Sequence, residues 1–350
     1  MRPIPVANPP NPWASTEIEW IGAPPEIRLR VFEDHTREIL SKNDSPDLGF
    51  RYSVNPYRGC FHGCAYCYAR PTHEYLGFGA GSDFERQIVV KPRAAELLRE
   101  AFDRPSWKGE TVVFSGATDC YQPLEASYRL TRACLEVCAE YRNPVHVITK
   151  APLIERDIDV LARLARETRL GVTISIPFWN EAHARAIEPG VATPRRRMAT
   201  VRKLREAGID VGVNVAPIIP GLNDEDIGAI LEAAAEAGAM RVAMIVLRLP
   251  GNVKHVFEER LRTTLPLRAE RVLARTREVR GGKLNDPRFG CRFIGEGTYA
   301  ETIAQLFRRT AERLGLSETT ITASKEPSPF RRPQVKGRQL ALFDRGFEPG

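Results

Sequence analysis

The feature that most constrains this fold is a regular alternation between short β-branched runs and helical stretches. Six runs stand out: SVNPY (53–57), TVVFSG (111–116), PVHVITK (144–150), GVTISI (171–176), DVGVNVAPII (210–219) and MRVAMIVLRL (240–249). They are close to continuously apolar, the pattern of parallel strands covered on both faces. Helical periodicity fills the gaps. In ASYRLTRACLEVCAEY (126–141), Leu130, Ala133, Cys134, Val137, Cys138 and Tyr141 share one face. In IERDIDVLARLARE (154–167) the face is Ile154, Ile158, Leu161 and Leu164. A third helix is expected over 194–207, stopped by Gly208, and a fourth over 224–238, opened by Asn223 or Asp224. Strand–helix alternation of this kind builds a parallel sheet with helices outside it. Six units predict an open parallel (β/α)6 partial TIM barrel rather than a closed barrel of eight.

The flanks read differently. Residues 1–25 are rich in proline and lack periodicity, so they read as an extended arm, and 26–42 suggests a short strand followed by a helical turn. A helix over 299–314 is expected to pack through Ile303, Leu306, Phe307 and Leu314, and beyond about 317 the chain turns polar and proline-rich, as flexible tails do. The expected organisation is an N-terminal arm or extension (1–50), a barrel core (51–250), a helical extension (251–317) and a disordered basic tail (318–350).

No apolar run approaches the roughly 20 residues of a membrane span, and the N-terminus shows no apolar core of a secretory signal. The seven cysteines are odd in number and three are clustered, which suits reduced thiols and a cytoplasmic location. With 51 basic and 44 acidic residues, the net charge of +7 is compatible with a polyanion partner without requiring one.

Chemistry concentrates in NPYRGCFHGCAYCY (55–68), where Cys60, Cys64 and Cys67 are spaced C-x3-C-x2-C just past the first strand. That is the carboxyl end of the barrel, where active-site loops collect. Zinc with His62 as fourth ligand is one reading, but structural zinc usually takes two separated ligand pairs and no second pair follows. A [4Fe–4S] cluster held by three thiolates keeps one iron open to an outside ligand. Cys134 and Cys138, four apart on an apolar face, read as core, and Cys291 reads as structural.

This spacing, with Tyr66 before the last cysteine and a six-unit barrel behind it, resembles the radical S-adenosylmethionine (SAM) superfamily. The wider wording narrows the likeness. NPYRGCxHGCxYCYAR, TDxYQP (118–123), VHVITKAPLIERD (145–157) and APIIPGLND (216–224) look like the spore photoproduct lyase-like, or DNA-repair-photolyase-like, branch. The resemblance implies a [4Fe–4S] cluster and SAM as cofactors. It implies reductive cleavage of SAM to a 5′-deoxyadenosyl radical that takes hydrogen from the substrate. It also implies a reductant such as flavodoxin or ferredoxin as partner. Carried over residue by residue, Tyr66 contacts the adenine, and the segment Ser115, Gly116, Ala117, Thr118, Asp119 receives the SAM amino group. Lys150 pairs with the SAM carboxylate, Ser175 meets the ribose, and Asn214, with the backbone around Ala216 to Ile218, flanks the adenine. Lyases of the branch use a cysteine after the second strand as hydrogen donor. The matching position here is Thr118, and Cys120, two residues on, is the candidate donor.

Two further stretches bear on partners. Pro194-Arg195-Arg196-Arg197 puts three cations at a helix start, where an anion is favoured. Phe330, Arg331 and Arg332 begin a basic tail that contains Gln339-Leu340-Ala341-Leu342-Phe343, similar to the peptide by which bacterial repair proteins dock on the sliding clamp. The expected substrate is a DNA lesion or modified base. A peptide or small molecule is the alternative, and a non-enzymatic metal-binding protein the third reading.

Overall fold

The computed structural model describes residues 28–319 and 326–333, together with Asn8. The six expected strands form as β1 (Tyr52–Val54), β2 (Val112–Phe114), β3 (Val145–Thr149), β4 (Leu170–Ser175), β5 (Val211–Ile218) and β6 (Arg241–Val246). They pair in that order and all in parallel. Leu40–Lys42 adds an antiparallel strand beside β1 and Ser317–Glu318 a parallel one beside β6. The two ends of this sheet do not pair with each other, so the barrel is open. Outside it lie α1 (Ala94–Asp103), α2 (Leu130–Glu140), α3 (Ile158–Glu167), α4 (Glu181–Ile187), α5 (Pro194–Glu206) and α6 (Ile227–Glu236). Then come α7 (Val253–Thr264), α8 (Pro266–Glu278) and α9 (Gly297–Arg313).

The two faces of each strand differ, and the difference makes the site. Outward residues such as Val147, Val172, Ile174, Val213 and Val215 are buried in one core with Leu135, Leu161, Val201, Leu204 and Ile230 from the helices. Inward residues alternate with them. On β4 these are Gly171, Thr173 and Ser175; on β5, Gly212, Asn214 and Ala216. They are small or polar, and Thr173, Asn214, Ala216, Ala243 and Ile245 remain partly accessible, whereas the outward Val172, Ile174, Val213, Val215 and Val242 are buried. A closed eight-stranded barrel fills its interior with large branched side chains. This one keeps part of its interior accessible, a hollow lined by small and polar side chains. Register then sets layers within it, since Ser175 lies opposite Asn214 and Asn214 opposite Ala243.

Several expectations shift. The helix expected at 126–141 is interrupted at Arg129, whose φ of 53° is left-handed. The buried Glu125 carboxylate causes the break, turning back to accept the amide protons of Thr131 (2.9 Å) and Arg132 (3.2 Å). Of the stretch 26–42, the described residues 28–42 form two short strands, Arg30–Glu33 and Leu40–Lys42, and no helical turn. Arg30–Glu33 pairs with Gln87–Val90 in a second, three-stranded sheet. On α9, Ile303 and Phe307 are buried but Leu306 is exposed. Residues 326–333 are docked rather than loose. Phe330 packs on Phe102 and Tyr141, and Arg332 donates to the carbonyls of Phe102 (3.0 Å), Arg104 (2.6 Å) and Trp107. Gln339, Leu340, Leu342 and Phe343 lie outside the described residues, as does the arm at 1–25 apart from Asn8. Among the described residues no helix is long and apolar enough to cross a membrane.

Candidate active site

Cys60, Cys64 and Cys67 are all free thiols on the loop after β1, and Cys60 and Cys64 are buried. The loop is gripped from four directions. Arg70, fully buried, donates through Nε and Nη2 to the Cys64 carbonyl (3.0 and 2.9 Å) and through Nη1 to the carbonyls of Ala80 and Gly81. Its charge is met by Glu85 at 2.6 Å. Gln122 accepts the Phe61 amide proton and donates to the Gly59 carbonyl, both at 3.1 Å. The Ala65 and Gly190 amides tie the loop to the chain around α4, donating to Ile187 and His62 carbonyls at 3.0 Å. Gly190 must be glycine, because a Cβ there would sit 2.6 Å from the Phe61 carbonyl oxygen.

His62, between the first two cysteines, is also buried, with Nδ1 3.4 Å from Asp119 Oδ2. Burial alone would favour the neutral imidazole, but Cys60 and Asp119 outweigh it and push the pKa up to about 10. Asp119 also accepts from the Thr149 hydroxyl (2.6 Å) and the Lys150 amide (2.7 Å). Burial opposes its charge, yet His62 and these donors bring its pKa down to about 2. One carboxylate thus locks the cysteine loop, the loop after β2 and the end of β3 together.

A second hub lies across the loop. Glu188, buried in the turn between α4 and α5, accepts from the Tyr66 hydroxyl, pairs with Arg197 at 2.8 Å and has the Lys150 ammonium 3.6 Å away. Burial raises the Glu188 pKa, but Arg197, Lys150 and Tyr66 more than offset it and hold the carboxyl below its usual range. Arg197 also donates to the Ser175 carbonyl at 2.8 Å, at the end of β4. Lys150 lies 5.7 Å from the centre of the Tyr66 ring.

The donor chemistry at this loop is that of three unpaired thiols. A [4Fe–4S] cluster would take one thiolate per iron, and these three would hold three of its irons. Among the described residues no group of three or more His, Cys, Asp or Glu converges on a single ion. In the hollow beside the loop, Asn214 Oδ1 is buried with no hydrogen-bond partner among the described residues. Buried polar atoms are nearly always paired, so this acceptor suits a ligand donor.

The structure gathers most of the sequence-predicted residues. Lys150, Ser175 and Asn214 occupy inward positions at or near the carboxyl ends of adjacent strands, and Tyr66 faces Lys150. Ser115, with φ of 83°, turns the chain after β2, and its hydroxyl accepts the Cys120 amide proton. The Gly116 carbonyl accepts from the Tyr68 hydroxyl at 2.9 Å. Thr118 instead donates to the Tyr57 carbonyl and is buried. Cys120 lies in the main apolar core, and burial pushes its thiol far up. Cys134 and Cys138 are in the same core.

The arginines at 195–197 do not form an open anion site. Arg197 is buried on Glu188, Arg196 bonds Glu155 at 2.5 Å and Arg195 covers the Trp179 ring. Sequence reasoning missed Glu188, Arg70 and Gln122 as site residues. The last two sat inside the quoted motifs, whereas a lone glutamate in an unpatterned loop gave no signal.

A family model described as the radical SAM superfamily matches residues 54–234. The chain is 39% identical over 249 residues to an uncharacterized protein of Mycobacterium tuberculosis, covering 69% of this chain and 73% of the other. It is 25% identical over 301 residues to the radical SAM Nalpha-GlyT isomerase of Pseudomonas phage M6, covering 85% of this chain and 59% of that one. Its fold is similar to that of a spore photoproduct lyase variant with bound AdoMet and dinucleoside spore photoproduct. There the TM-score is 0.61 and identity 18%, over 87% of this chain and 88% of the other. Matched over more than half of its 350 residues, the chain belongs to the radical SAM superfamily.

Proposed function

We propose that Cys60, Cys64 and Cys67 hold the [4Fe–4S] cluster, that SAM occupies the hollow beside it, and that the substrate is nucleic acid carrying a lesion or modified base. Radical SAM proteins are enzymes that use this cluster and SAM and need a reductant. When bound, the pair supplies one-electron chemistry that removes hydrogen from an unactivated position. The observation that carries the reading is three free thiols on a braced loop beside an unpartnered acceptor, Asn214 Oδ1.

Each residue then has a task. The backbone around Ser115–Asp119 takes the SAM amino group, Lys150 the carboxylate, Ser175 the ribose, and Tyr66 with Asn214 the adenine. Glu188 fixes Tyr66 and Lys150 with respect to each other. Arg70, Gln122 and the His62–Asp119 pair hold the loop so that it does not rearrange around its ligands. The resemblance of the fold to a lyase holding a dinucleoside lesion supports a nucleic-acid substrate. The net charge of +7 is compatible with one. A base would leave its stack to enter the hollow. Docking of Gln339–Phe343 on a sliding clamp is part of this reading.

The test is anaerobic reconstitution, then iron, sulfide and zinc analysis and a dithionite assay for 5′-deoxyadenosine. About four irons per chain and SAM cleavage, both lost in Cys64→Ala, are expected. Zinc without cleavage overturns the cluster assignment. For the substrate, DNA binding that weakens as salt rises is expected, and no binding at low salt overturns the nucleic-acid reading.

A further inference from the structure

The three arginines around the end of β6 are matched by too few anions. Arg248, two residues beyond β6, is partly buried, and its Nε is buried without a hydrogen-bond partner. Among the described residues it forms no ion pair. Its guanidinium lies 5.0 Å from the centre of the Phe293 ring, and Arg292 lies 4.9 Å from the same ring. Arg292 is committed to Asp47 and Ser45. Arg280, buried beneath them, spends its donors on the carbonyls of Val246, Leu247 and Cys291. The other nearby carboxylates, Asp286 and Glu296, are taken by Arg288 at 2.6 and 2.7 Å. Four guanidiniums, with Arg288 counted, thus face three carboxylates, and Arg248 is the one left without an ion pair among the described residues. An unpaired, partly desolvated charge is unfavourable in the protein alone.

Its position gives it a use. β1 and β6 are the two ends of the six-strand parallel run, so the barrel's open side lies between them. Arg248 leaves β6 at the same end as the cysteine loop leaves β1. Tyr68, the residue after Cys67, lies on that loop. Tyr68 is 54% exposed although its hydroxyl is bound to Gly116. On the other side, Phe289 is 59% exposed, with Arg292 over its ring at 4.5 Å. The loop that carries these residues is fastened to β6 by the Val246 amide, which donates to the Phe293 carbonyl at 2.8 Å. Cations alternating with exposed rings suit a strand that offers phosphates and bases in turn.

We infer that Arg248 receives a phosphate oxyanion of the substrate at the barrel's open side, with the exposed Tyr68 and Phe289 rings available to flanking bases. This rests on the nucleic-acid reading above and names its anchoring group. Among the described residues no hydrogen bond or ion pair joins Arg248 to a residue assigned to SAM, so its variants are expected to keep the cofactor site.

The experiment uses reconstituted holoprotein, a fluorescein-labelled oligothymidylate and anisotropy titrations between about 50 and 200 mM salt. Arg248→Met is expected to bind about tenfold more weakly, the usual loss of one charge-assisted contact. Its salt slope should be shallower by about 0.7, the value for one single-strand phosphate. Arg248→Lys, which keeps the charge without the fork, falls between. Equal iron content and equal 5′-deoxyadenosine formation without substrate show that the variants are folded and loaded. Oligonucleotide binding unchanged by Arg248→Met overturns the inference and leaves the nucleic-acid reading standing. No binding by wild type overturns that reading, and the rise in Tm with inorganic phosphate then decides on Arg248. A rise lost in Arg248→Met sustains an oxyanion site, and one that persists overturns it.

Discussion

Glu188→Gln is the change whose outcome follows most directly from the structure. It removes a charge and almost no volume. Arg197 is left with the Ser175 carbonyl as a partner but no anion, and it is 1% exposed. Removing one member of a buried pair typically costs about 3–5 kcal/mol, and the retained amide oxygen places this case near the lower end. At about 2.1 cal/mol/K per residue, 350 residues give an unfolding entropy on the order of 0.7 kcal/mol/K, so a loss of about 3–4 kcal/mol lowers Tm by about 4–6 °C. The readout is calorimetry of the anaerobic, reconstituted protein beside Arg197→Met and the double variant. The two partners act on one interaction, so the double variant should lose clearly less than the sum of the singles. Cleavage of SAM should also fall, by about 10²-fold if Tyr66 and Lys150 shift by an ångström, with iron content unchanged. Glu188→Asp keeps the charge and should recover part of both. Singles that each leave Tm unmoved, or losses that simply add, would refute the pairing as the element that holds Tyr66 and Lys150.

Two more expectations rest on other elements. Arg70→Leu deletes the donors to Cys64, Ala80 and Gly81 and leaves Glu85 only the longer contact with Arg260 at 3.9 Å, for a loss of about 3 kcal/mol. Iron per chain should drop with it, and Arg70→Lys should not rescue either, because an ammonium cannot span four acceptors as the fork does. His146, buried against Thr173 with its pKa held down to about 3 by burial and the Arg241 charge, bears on acid stability. Its folded value lies below the unfolded one, so the unfolded chain binds the extra proton first. Stability is therefore full above pH of about 6.5 and falls as pH drops toward 3, by about 1.4 kcal/mol per unit. Urea unfolding of wild type and His146→Gln should diverge by about 2 kcal/mol between pH of about 6.5 and 5, and parallel curves would refute the assignment.

How much of this was legible in the sequence depends on whether the signal was periodic. The six strands stand out as nearly continuous apolar runs between the helices over 154–167, 194–207 and 224–238, and these elements formed with small shifts at their ends. The break at Arg129 was hidden because the cause, Glu125, lies outside the periodic face and acts through a carboxylate buried on the next turn. The cysteine loop was legible because cysteine spacing is local. Its braces were not. Glu188 reaches Tyr66 across 122 residues and Gln122 reaches Phe61 across 61, and nothing in a single chain marks such pairs. The fate of the arginines at 195–197 was not legible for a related reason. Charge at a helix start is visible in sequence, but the counter-charges that absorb it, Glu188 and Glu155, come from other elements. Phe330 and Arg332 look like a free basic tail until α1 and Tyr141 are placed beside them.

The distribution of charge separates the wall that fixes geometry from the wall that meets substrate. Around the cysteine loop the buried charges come in pairs: Arg70 with Glu85, Arg197 with Glu188, His62 with Asp119. Such pairs add little net stability, since desolvation cancels much of their attraction. What they do is penalise any other arrangement, because a shifted loop strands a charge in a dry place. That is the property a cofactor site needs, where an ångström of drift is costly. At the opposite edge of the opening the pattern reverses. Arg248 is partly desolvated and unpaired, beside Arg292 and Arg280, so the protein alone carries an unfavourable potential there. An anionic group entering from solvent relieves it, whereas at the braced wall Arg197 and His62 already face the carboxylates of Glu188 and Asp119. The same asymmetry orients the substrate. Its charged portion is drawn to the β6 side while the neutral portion is left facing the hollow and the cysteine loop, which is the order in which recognition and chemistry have to be arranged.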